Sequence, residues 1–170
     1  MVKIAPSILA ADLMDMTNEI KLVDANGADY IHIDVMDGHY VNNIAFGPNM
    51  VKSMRPHTKK ILDVHLMISP VKKFVDEFIA AGADIISFHP DADKNSRDII
   101  KQIKSANCKA GIAIHPKVSI NEIVSFLDLI DIVIVMTVVP GFGGQKFMQS
   151  EVNKIIELHK IRKKRNLSYE

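Results

Sequence analysis

Residues 31–38 read IHIDVMDG, an apolar stretch that carries His32 and Asp34 two positions apart. Strand side chains alternate between faces, so positions 32, 34 and 36 project together. An ionised carboxylate in such a place costs on the order of several kcal/mol unless something pairs with it. Asp34 therefore belongs either at the wet end of its strand or beside a cation or basic group. A second stretch, LDVHLM at 62–67, brings His65 to the end of another strand on the same face as Asp63 and Met67. Neighbouring parallel strands lie about 5 Å apart, so His32, Asp34 and His65 can converge on one divalent cation. Two imidazoles and a carboxylate suit zinc, iron or manganese better than calcium or magnesium. The alternative is two buried, hydrogen-bonded histidines and an aspartate facing a loop.

Two further features surround this set. Met36, Met67 and Met136 stand at strand ends in VMDG, HLMI and VMTV. They serve either as core filler or as a polarizable floor that keeps water from a reacting centre. The segment VVPGFGGQKF at 138–147 holds three glycines and a proline within five residues. Such a turn can present backbone N–H groups to an anion such as phosphate, or can simply be a tight turn. Ser7, in APSI, can hydrogen-bond a substrate hydroxyl or cap its strand.

Placing these residues requires a particular succession of elements. Strands are predicted over 2–9, 30–35, 61–67, 85–89, 110–115 and 131–137, and helices over 13–26, 71–82, 95–107, 120–130 and 151–164. Asp12 is a plausible cap for the first helix, and Val71, Phe74, Val75 and Phe78 share one face of the second. NGADYI at 26–31 and AGADII at 81–86 repeat a pattern of glycine after a helix and aspartate before a strand; DLIDIVIV at 128–135 keeps only the aspartate. Near-continuous apolar strands alternating with helices imply a parallel sheet covered on its faces. A doubly wound sheet would carry a glycine-rich phosphate loop after its first strand, where this chain has AADLMD. Polar residues instead collect at strand C-termini: Ser7, Asp34, Asp37, His65, His89 and His115. That distribution favours a (β/α)8 barrel, with about six units present across a single domain, 1–170, that lacks its C-terminal part. The strands over 2–9 and 131–137 would then be apolar edges.

Composition limits the alternatives. The chain has 170 residues and a formal net charge of +1, which offers no global attraction for nucleic acid or an anionic membrane. The basic run HKIRKKRN at 159–166 fits the solvated end of a helix. No stretch approaches the ~18 apolar residues of a membrane span, and one cysteine, Cys108, cannot form an internal disulfide. These features suit a cytoplasmic protein.

APSILAADL, HIDVMDGHYVNNIAFGP, LDVHLMI and VMTVVPGFGGQKF, in this order and register, resemble the ribulose-phosphate 3-epimerase family across residues 4–165. The resemblance implies a metal-dependent (β/α)8 barrel that interconverts D-ribulose 5-phosphate and D-xylulose 5-phosphate in the pentose phosphate pathway. It implies a divalent ion (Zn, Fe, Mn or Co) on His32, Asp34 and His65, with Asp34 also an acid/base. Ser7, His65, Gly141, Phe142, Gly143 and Gly144 match substrate contacts, and Met36, Met67 and Met136 match residues around the intermediate. The family's second carboxylate and second phosphate loop would follow Glu170, so the 170 residues alone are expected to be inactive. His115 and Asp91 depart from the commoner Asn and Glu of the family. A homo-oligomer, dimeric or hexameric, is implied, with Phe46 and Met50 as exposed interface positions. The rival expectations are an epimerase of another ketose phosphate, such as allulose 6-phosphate, and a non-catalytic phosphosugar-binding barrel.

Overall fold

The computed structural model describes residues 2–170. Its sheet contains β1 (Tyr30–Asp37), β2 (Ile44–Ala45), β3 (Ile61–Met67), β4 (Ile85–Phe88), β5 (Lys109–Ile114) and β6 (Ile132–Val135) in the spatial order β2-β1-β3-β4-β5-β6. All pairs are parallel except the short hairpin of β1 with β2. Helices α1 (Met16–Ala25), α2 (Pro48–Met54), α3 (Val75–Ala80), α4 (Ser96–Ser105) and α5 (Val152–Arg165) fill the connections. Sequential parallel strands, joined by helices except between β5 and β6, form the wall of a (β/α)8 barrel, here open rather than closed.

The strand expected over 2–9 is replaced by an extended edge segment. Ile4 O accepts from the amides of Asp29 and Tyr30, and Pro6 O accepts from His32 N, but only Ser7 makes a bridge to β1. Pro6 has no N–H to donate, which interrupts a ladder at that point. At the opposite edge Glu170 exchanges backbone bonds with Asp131 and Val133 beside β6. The two edges meet where the Glu170 carboxylate binds Lys3 Nζ and the Tyr30 hydroxyl. The sheet therefore curls toward closure.

The repeated aspartates explain how register is held at the strand entrances. Asp29 accepts from Ile4 N at 2.7 Å, Asp84 from Leu62 N at 2.8 Å and Asp131 from Ala110 N at 2.9 Å. Each carboxylate at the start of one strand thus ties the first amides of its neighbour. Gly27 and Gly82, just before two of these aspartates, take positive φ of +86° and +97°, the left-handed conformation that stops a helix.

Other elements differ from expectation for local reasons. The stretch 120–130 is not a helix: a Ser119–Glu122 capping box opens a single 3-10 turn, followed by i→i+3 bonds. Ile120, Ile123, Leu127 and Ile130 are still buried by it. The helix over 71–82 shortens to α3 because Asp93 takes the Lys72 amide from across the rim, although Val71, Val75 and Phe78 bury as expected. Asp12 caps no helix; it accepts from Met14 N in the turn before α1. Helix α2 escaped the sequence reading, yet Pro48 at its first turn and the buried Val51 and Met54 three positions apart are its signature. Phe46 and Met50 are half-buried against the core rather than exposed. The basic run forms the last turn of α5, where cations complement the helix dipole. No helix among the described residues is long and apolar enough to cross a membrane.

Candidate functional site

Along β1 the odd positions Ile31, Ile33 and Val35 sink into the core, which turns His32, Asp34 and Met36 to the other face. The register of β1 with β3 then stacks three pairs across that face: His32 with Asp63, Asp34 with His65, and Met36 with Met67. From the outer edge, Ser7 bridges to His32 and its hydroxyl donates to Asp34 Oδ2 at 2.6 Å.

Asp34 Oδ1 is the meeting point. It lies 3.3 Å from His32 Nε2 and 3.4 Å from His65 Nδ1. One ligand atom from each of His32, Asp34 and His65 falls within 4.8 Å of the others. Asp63, at 3% exposure, takes the far side of His32, with Oδ2 2.7 Å from Nδ1. A carboxylate behind a histidine fixes the tautomer that leaves Nε2 free to bind a cation. Two carboxylates and two imidazoles this close require a positive charge, supplied either by a proton on His32 or by a divalent cation. The residues fit the cation: His65 Nδ1 is buried with no hydrogen-bond partner, since its short approach to Asp34 is badly directed. Two nitrogens and one carboxylate oxygen form a donor set for zinc, iron, manganese or cobalt.

Without a cation, the proton does this work. Burial disfavours the charged imidazole, but Asp34 and Asp63 outweigh it and raise His32 to about 10. Burial also opposes the Asp34 carboxylate, and His32 and His65 overcome it, holding Asp34 well below the usual range. The folded value of His32 lies above the ~6.5 of an unfolded imidazole. Its contribution to stability is complete below that value and is lost as pH rises through about 10. In chelator, the melting-temperature advantage of wild type over His32→Gln is expected to shrink steadily between these limits. A gap that stays constant or widens contradicts this charge arrangement.

Above the trio, a cavity of about 540 Å³ is lined by Ser7, Asp34, Met36, Met67, Met136 and residues 138–144. The structure thus gathers Ser7, Asp34, the three methionines, Gly141, Phe142, Gly143 and Gly144 on one wall. His65, 1% exposed, lies behind it and reaches the cavity only through Asp34. Phe142 turns much of its ring to solvent, at 58% exposure. The glycine loop is braced from two sides. Asn43 Nδ2 donates to Gly141 O at 2.7 Å, and Gln145 Nε2 donates to Val139 O and Phe142 O at 2.6 and 2.8 Å. Among the described residues, no backbone carbonyl accepts from the amides of 141–144, which leaves them available to an anion.

Sequence reasoning placed Asp63 on the face of His65 and His89 at a strand end without giving either a role, and it missed Asn43 and Gln145. Asp63 was legible, because it shares the alternating face of His65 and Met67. His89 directly follows β4, where burial above all holds it down at about 2, so it stays neutral. Asn43 acts through the distant Gly141 carbonyl and Gln145 through carbonyls of its own loop, and neither leaves a pattern in the sequence.

Residues 3–170 match the profile of the Ribulose-phosphate 3 epimerase family. The chain is 47% identical over 156 residues to ribulose-phosphate 3-epimerase of Rhodobacter capsulatus, covering 91% of this chain and 68% of that protein. It is 48% identical over 161 residues to the Bacillus subtilis (strain 168) protein of the same name, covering 95% and 74%. Among solved structures, 3-keto-L-gulonate-6-phosphate decarboxylase from Vibrio cholerae superposes with a TM-score of 0.69 at 18% identity, over 94% of this chain and 74% of that one, which bears on the fold alone. The profile match and these relatives lead to one conclusion: this chain belongs to the ribulose-phosphate 3-epimerase family.

Proposed function

We propose that this chain carries the cation site and one acid/base face for epimerisation at C3 of D-ribulose 5-phosphate, giving D-xylulose 5-phosphate. The observation that carries the reading is Asp34 Oδ1 within 3.4 Å of two imidazole nitrogens on the wall of the methionine-lined cavity. The C3 proton of the substrate is acidic because it neighbours the C2 ketone, and its removal yields an enediolate. A divalent cation held by His32, Asp34 and His65 would supply Lewis-acid stabilisation of the negative charge that develops at the C2 oxygen. Asp34 takes or returns the proton from one side, and the Ser7 hydroxyl at 2.6 Å keeps the carboxylate oriented. Met36, Met67 and Met136 keep water from the carbanionic carbon, and the amides of residues 141–144 receive the phosphate.

Inversion needs a proton donor on the opposite face as well. Asp34 is the one carboxylate lining the cavity among the described residues. The 170-residue polypeptide is therefore expected to bind zinc or manganese and the ketopentose phosphate without turning it over. Calorimetric titration of D-ribulose 5-phosphate into zinc-loaded protein, with and without chelator, checks binding; a coupled assay for D-xylulose 5-phosphate checks turnover. Near-normal turnover would overturn the single-face assignment. Failure to take up either metal or sugar phosphate would overturn the function. Tighter binding of allulose 6-phosphate than of ribulose 5-phosphate would reassign the substrate.

A further inference from the structure

His89 lies outside both the cavity lining and the ligand trio, yet it is fully buried and its Nε2 sits 3.0 Å from His65 Nε2. Two imidazole nitrogens at that distance share one hydrogen, so one ring donates and the other accepts. Neither ring has a hydrogen-bond partner at Nδ1. His65 Nδ1 faces Asp34 Oδ1 at 3.4 Å. With its hydrogen on Nδ1, His65 points a positive edge at the carboxylate and must accept from His89 at Nε2. With its hydrogen on Nε2, His65 donates to His89 and turns a lone pair toward Asp34. That second arrangement is repulsive unless a cation stands between lone pair and carboxylate.

We infer that His89 is a positioning residue that lets His65 exchange these two tautomers, Nδ1–H without a cation and Nε2–H with one bound at the trio. The inference rests on the metal reading of His32, Asp34 and His65. Each ring keeps one hydrogen throughout: His65 exchanges Nδ1–H for Nε2–H and His89 exchanges Nε2–H for Nδ1–H, so this pair takes up and releases no net proton, and the proton that a cation displaces leaves from His32. An imidazole suits the position because the same atom can donate or accept. Tyr40 packs on the His89 ring, with centroids 4.9 Å apart, and its hydroxyl is tied to Asp91, so the ring has little freedom to turn away. An apolar side chain at 89 would leave His65 Nε2 unpaired in the core in either state.

Long-range proton–nitrogen correlation spectra of the 15N-histidine-labelled 170-residue protein, before and after zinc, read the tautomers directly. The expected result is a switch at both rings on zinc addition. His89→Phe is expected to weaken zinc binding at least about tenfold, whereas His89→Gln, whose amide can donate or accept, stays within about threefold of wild type. If wild type takes up no zinc, the metal reading falls and this inference with it. If wild type binds zinc while both tautomers stay unchanged, or His89→Phe binds as tightly, the inference alone is overturned; the wild-type spectra decide even where a variant fails to fold.

Discussion

Asp34→Asn is expected to lower the zinc affinity of the 170-residue protein by at least about 100-fold, more than the ten- to hundredfold typical of losing a residue behind the ligands. Asparagine keeps the shape of aspartate, so Ser7 can still donate to its oxygen and the strand pairing of Asp34 with His65 should survive. What disappears is the negative charge at the point where His32 Nε2 and His65 Nδ1 meet. A dication in that space would then face two neutral rings and a neutral amide, with Asp63 as the remaining carboxylate on the far side of His32. Chelator-competition titration with zinc or cobalt measures the effect, and circular dichroism checks that the fold is retained. Asp63→Asn provides the comparison: it leaves all three ligands in place and should cost about 10–100-fold by loosening His32. If Asp34→Asn stays within a few-fold of wild type, the trio is not the cation site.

The second large effect concerns the wall that carries the site. Gly111→Ala is expected to destabilise the protein by about 3 kcal/mol, as forced overpacking does. In a chain of this size that corresponds to a fall of roughly 6–12 °C in melting temperature. A Cβ at Gly111 would lie 2.4 Å from Ile132 Cγ2 and 2.8 Å from Ser87 Cβ. Those neighbours belong to the strands on either side, so β5 cannot move away from one without pressing on the other. Ser87 is itself fully buried and pairs in register with His65, which places the strain one strand from the ligand trio. Gly143→Ala is the control, because nothing lies within 4 Å of a Cβ there, and it should change stability by no more than about 0.5 kcal/mol. Thermal melts of both variants test this; equal melting temperatures would mean that β4 and β6 yield more readily than their packing implies.

Much of the architecture was readable from the chain because burial imposes a period. The alternation in IHIDVMDG determined which side chains of β1 share a face, and the same alternation in LDVHLM did so for β3. Aspartates before strands and glycines after helices marked the joints, since each answers a local backbone demand. Where the demand was not local, the reading erred. Residues 120–130 have the apolar spacing of a helix but settle into successive tight turns, and the segment over 2–9 runs beside β1 with a proline interrupting the ladder.

Local alternation could say that His32, Asp34 and His65 share a face, but not which nitrogens turn toward which oxygens. Only strand register set Asp34 beside His65 and put Asp63 behind His32. Only packing between β3 and β4 pressed His89 against His65, and only the bracing by Asn43 tied the glycine loop down from outside. These are contacts between residues distant in the chain, chosen by the pairing of whole strands and loops. No short stretch of sequence contains the information that selects them.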